Sequence, residues 1–77
     1  MNDLAAEIVE IIRPAIKIMA KPVVENNCER LGLDPDNLTR EDLAKLIPKI
    51  QKGVKFFSAK PSEAKEIIYE LQKMITS

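Results

Sequence analysis

Four lysines, Lys45, Lys49, Lys52 and Lys55, recur at steps of four, three and three. On a helix that spacing sets them along one face. Phe56 projects among them on ideal geometry, and from Leu43 to Lys60 the chain carries five lysines and no acid. Ammonium groups beside an exposed aromatic ring suit an anion: the lysines hold phosphates and the ring stacks a base. They suit an anionic membrane surface in a similar way. Lysine is a point charge without the fork of a guanidinium, so such a row attracts negative charge without reading a sequence. The competing role is a solvated face that keeps the protein soluble, with Phe56 turned into the core by a bend at Gly53.

The other reactive residue types offer less. There is no histidine, which removes the commonest general base and the commonest metal ligand. Cys28 is the single cysteine, so no intramolecular disulfide forms. It falls near a helix C-terminus, where the dipole disfavours a thiolate, and it has no neighbouring base. Asp34, Asp36 and Asn37, followed by Glu41 and Asp42, begin like a calcium loop. Such a loop needs glycine at its sixth position and glutamate at its twelfth. Counted from Asp34, those positions hold Thr39 and Lys45, so the segment reads as a turn into a capped helix. A DNA-reading helix wants Arg, Asn or Gln on its exposed face, and this one offers only Arg40 and Gln51 among lysines. The expectation is a protein that is not an enzyme, with no catalytic residue, no metal site and no cofactor.

The elements that carry these residues are helical. From Asp3 to Glu25 charged residues recur every three or four positions (Asp3, Glu7, Glu10, Arg13, Lys17, Lys21, Glu25) and nearly everything between them is apolar. At about 100° per residue the charges fill a sector roughly 120° wide. The remaining ~240° is apolar, against a stripe of somewhat over ~100° on an ordinary surface helix. A first helix is expected over about 3–20, capped by Asn2 or Asp3 and kinked at Pro14. Pro22 is either a second kink or the first residue of a separate helix over 22–31, closed by a left-handed cap at Gly32. Thr39-Arg40-Glu41-Asp42 is a capping-box variant opening a helix over 40–57. Its stripe of Leu43, Leu46, Ile47, Ile50, Val54 and Phe57 keeps phase through Pro48 and Gly53, which mark a bend. A last helix is expected over 61–75, with Ala64, Ile67, Ile68, Leu71, Met74 and Ile75 facing inward.

The fold class expected is all-α, a bundle of three to four helices in a single domain over 1–77. Twelve basic and twelve acidic residues cancel, leaving no global bias toward nucleic acid or membrane. Glu7, Glu10, Arg13, Lys17 and Lys21 interrupt the apolar run too often for it to span a bilayer. Met1-Asn2-Asp3 is no signal-peptide start, and a cytoplasmic location is expected. Ten isoleucines, abundant Lys and Glu, and no tryptophan resemble thermophile usage. So small a domain often completes its core by oligomerising. The leading expectation is therefore a non-enzymatic interaction or structural module that dimerises, or docks on another protein, through the broad face of helix one. Leu4, Ile8, Ile11, Ile12 and Ile18 are its candidate interface. The alternative is a weak anion or nucleic-acid binder using Lys45, Lys49, Lys52, Lys55 and Phe56, although nucleic acid is disfavoured by the neutral charge.

Overall fold

A computed structural model describes residues 1–76, and these fold as an all-α bundle. Helix α1 spans Asp3–Ile16, α2 Ala20–Leu31, α3 Arg40–Phe57 and α4 Pro61–Thr76; a 3-10 turn over Lys17–Met19 joins the first two. Local chemistry accounts for most of the ends. Asn2 caps α1, its Oδ1 accepting from the Ala5 N–H at 3.1 Å. Leu33 N–H and Gly32 N–H return to the carbonyls of Cys28 and Glu29 at 2.8 and 3.1 Å, closing α2 as a Schellman motif. Gly32 takes the left-handed conformation this requires, with φ +70°. Thr39 and Asp42 form a reciprocal capping box at the start of α3, as their spacing predicts.

The joint between α1 and α2 departs from expectation. A kink at Pro14 in a helix reaching residue 20 is the reading that periodicity favours. The structure instead carries α1 through Pro14 to Ile16 and turns at Lys17, whose φ and ψ are 54° and −122°. Among the described residues it is the one non-glycine position with positive φ. The reason is tertiary. Ala20, Val23 and Val24 are buried, and a straight rod would carry them away from the core that Ala15 and Ile16 enter. Helix α2 starts at Ala20, two residues before Pro22. Pro22 then sits in its first turn, where an absent N–H costs no helical hydrogen bond. Helix α3 runs unbroken through Pro48 and Gly53.

The buried residues form one cluster to which all four helices and Leu38 contribute. Helix α1 packs on α2, α3 and α4, so its wide apolar face is covered by its own chain. Ala5, Ile8, Val9, Ile12, Ala15 and Ile16 are buried, while Leu4 and Ile11 flank them half-buried. Neighbouring helices alternate in direction. Pro14–Ile16 at the end of α1 lie beside Lys60 and Glu63 at the start of α4, and Asn2 reaches the loop before α3. This alternation sorts the charges by sequence position. Lys17, Lys21, Lys52, Lys55 and Lys60 outnumber Glu63 at the pole where α1 and α3 end; at the other, Asp3, Glu29, Asp34, Asp36, Glu41 and Asp42 outnumber Arg30 and Arg40.

Candidate functional site

Helices α2 and α3 leave a groove of about 640 Å3 between them. Its floor is Met19, Val23 and Gly53, its upper end is Phe56 and Phe57, and Asn26, Asn27, Arg30, Lys49 and Lys52 complete the walls. Gly53 sets how closely the two helices approach. A Cβ there would lie 3.1 Å from Val23 Cγ1, so a side chain would press the buried valine outward. Asn27 is turned back on its own helix, donating from Nδ2 to the Val23 carbonyl at 2.8 Å. Among the described residues no carboxylate lines the groove. The ion pairs among the described residues engage Arg13, Lys73 and the Met1 amino group, leaving Arg30, Lys49 and Lys52 without an acidic partner.

The lysine row of α3 is exposed along its length, but the bundle divides it. Lys49 and Lys52 face the groove, where Arg30 of α2 joins them. Lys55 lies on the far side, with Ser58, Pro61 and Lys65 around a shallow depression against α4. Lys45 borders neither. Phe56 is 81% exposed, so it is not turned into the core. Its ring meets Phe57 edge to face, with centroids 5.0 Å apart and planes at 79°. Phe57, expected in the inward stripe of α3, is 44% exposed and reaches from the groove to a second recess lined by Pro14, Lys17 and Lys60.

The expected helix-one interface resolves differently for each residue. Ile8 and Ile12 are wholly buried, so they are not available to a partner, a correction to the face drawn from periodicity. Leu4 and Ile11 pack half-buried against the core. Ile18 alone stands free, 89% exposed beside the strained Lys17 and next in sequence to Met19, which lines the groove.

The remaining candidates are tied up in the fold. Burial, followed by the nearby carboxylates of Asp42, Asp34 and Glu25, pushes the Cys28 thiol above its ordinary value. That is the reverse of what a nucleophile needs. Asp34 Oδ1 accepts from the Asp36 N–H at 2.9 Å and Oδ2 from Asn37 Nδ2 at 2.8 Å. Those two bonds hold its carboxyl below the usual range. Gln51 donates from Nε2 to the Ile68 carbonyl at 3.1 Å, bracing α3 to α4 instead of facing solvent. Tyr69 is exposed, with Lys73 Nζ 4.8 Å from its ring centroid. Among the described residues no cluster of three or more Cys, Asp or Glu is placed to hold a metal ion. Nor is any helix long and apolar enough to cross a membrane.

Sequence reasoning missed Arg30, Met19 and Phe57 as groove residues. Arg30 had a signal: it is a cation at the end of a helix that must pack antiparallel to the lysine-bearing one. Met19 and Phe57 had none, because their exposure depends on where the chain turns. Comparison with protein-family models, with curated proteins and with solved structures returns no match.

Proposed function

We propose that this protein is a small, non-enzymatic interaction module whose binding surface is the α2–α3 groove and the corner above it. One observation carries the reading: the apolar residues of α1 are folded inward, yet Ile18 and Phe56 stand in water at one end of the molecule. Large apolar side chains gain about 1.5–3 kcal/mol each on burial. Leaving large apolar side chains exposed at one end of a bundle, with Lys17 beside Ile18 in sequence and Lys52 lining the groove with Phe56, is a feature of surfaces that meet a partner. The non-enzymatic reading is supported by the chain's own chemistry. It has no histidine, its thiol is buried, and Asp34 and Asp42 are spent on turns and caps.

A direct test is urea unfolding of an Ile18→Ser/Phe56→Ser double variant. Side chains held for a partner add little to the fold, so stability should stay within about 0.5 kcal/mol of the parent. A loss above about 2 kcal/mol would make them structural residues and end the proposal. Self-association is the second reading, with Ile18 central and Leu4 and Ile11 at its margin. Light scattering over a wide concentration range tests it. A dimer abolished by Ile18→Glu supports it, and a monomer throughout removes it.

A further inference from the structure

We propose that the α2–α3 groove receives an acidic, amphipathic helix from another protein; this rests on the interaction-module reading above. Three observations point to that occupant. The first is length. The groove follows α2 from Met19 to Arg30, which at 1.5 Å per residue is about 16 Å, or three turns of a docked helix. The second is its graded lining. Met19, Val23, Phe56 and Phe57 make one end apolar, while Arg30 and Lys49 make the other cationic. An amphipathic helix with apolar anchors at i, i+3 or i+4, and i+7, and with acids toward one end, matches both. The third is charge: among the described residues, three cations line the groove without an acidic partner, and no carboxylate is there to repel the incoming helix.

The same observations disfavour other occupants. A single nucleic-acid strand needs cations along a track and open ring faces for its bases. Here the floor is aliphatic, and the Phe56 and Phe57 rings meet edge to face, so one ring face is already taken. A second copy in a two-fold contact would bring the same cations against themselves. It also has no free amphipathic helix to offer, since the exposed large apolar residues among those described are Met1, Ile18, Phe56, Phe57 and Tyr69.

The test is a selection from a displayed library of random helical peptides, each about 12 residues long to match the groove's three turns, against the full 77-residue protein. Single-strand oligothymidylate and phosphatidylserine vesicles are titrated in parallel. Enriched peptides should be acidic, with apolar residues on one helical face. Their affinity should fall by about tenfold or more in Phe56→Ala and again in an Arg30→Glu/Lys49→Glu variant. Lys65→Glu, a charge reversal away from the groove, should leave it unchanged. All these side chains are exposed, and circular dichroism checks that each variant is folded. Failure to enrich peptides, or enrichment of peptides indifferent to Phe56 and Arg30, overturns the acidic-helix proposal. If oligothymidylate or vesicles instead bind in a Phe56-dependent way, that proposal falls but the docking surface stands. If none of the three probes binds, both fall.

Discussion

The two connections that flank α2 are built on opposite principles. The loop from Gly32 to Thr39 satisfies nearly every local rule. A left-handed glycine closes α2, an Asx turn at Asp34 follows, Leu38 is buried, and a capping box opens α3. Asn2 braces it from outside, with its N–H donating to the Pro35 carbonyl at 2.9 Å and its Nδ2 to Leu38 O at 2.8 Å. The corner at Lys17–Met19 has no side-chain cap, holds a lysine where glycine would be at ease, and leaves Ile18 in water. Local consistency marks the part of the chain that specifies the fold. Local violation falls at the corner that Met19 shares with the groove, and the proposed docking role would account for it.

The largest effect should separate the loops most plainly. Leu38→Ala removes a buried side chain from the well-made loop and should cost about 2–4 kcal/mol in chemical unfolding. Ile18→Ala at the corner should change stability by less than about 0.5 kcal/mol. Equal losses would erase the distinction. Next in size come two backbone substitutions of opposite sign. Gly32→Ala forces a Cβ into a left-handed cap and should destabilise by about 1 kcal/mol, although no atom stands in the way. Lys17→Gly relieves a positive φ and should stabilise by about 1 kcal/mol, read as a rise in melting temperature. A Lys17→Gly variant less stable than the parent would show that the corner is not strained.

The smallest effect is a pH dependence. The Cys28 thiol is raised in the folded state, so its contribution is fully present below the ordinary value of 9.0 and is lost as pH climbs past it. Stability of the parent should therefore decline more steeply above about pH 9 than that of Cys28→Ala. Asp34 has the opposite sign. Its carboxyl is lowered, so its support is present above 3.8 and lost as pH falls through the shifted value.

Much of this architecture was legible because it is local. The stripe of α3, the capping box at Thr39 and the glycine cap at Gly32 each follow from residues within one or two turns. Leu38 had a readable signal as well. It stands at the position before the cap, where a hydrophobic staple pairs it with Leu43, and both are buried. Pro14 stays inside its helix, as periodicity suggests, but the end of that helix was misplaced because the break at Lys17 leaves no mark in the periodicity. The turn at Lys17 answers to the need of Val23 and Val24 to reach a core assembled by α3 and α4. The site was legible in its parts and not in its arrangement. Lys49, Lys52 and Phe56 were visible as a row, but only the docking of α2 and α4 decides that Lys49 joins Arg30 while Lys55 turns away.

The segregation of charge between the poles of the bundle has a consequence for how a partner arrives. A chain with twelve charges of each sign is neutral as a whole, yet with a surplus of lysines at one end and of carboxylates at the other it carries a permanent electric dipole. In the field of an acidic protein such a molecule experiences a torque before contact, and it approaches with its lysine-rich pole leading. Its encounter rate should then fall with added salt, as for a charged protein, although its charge sums to zero.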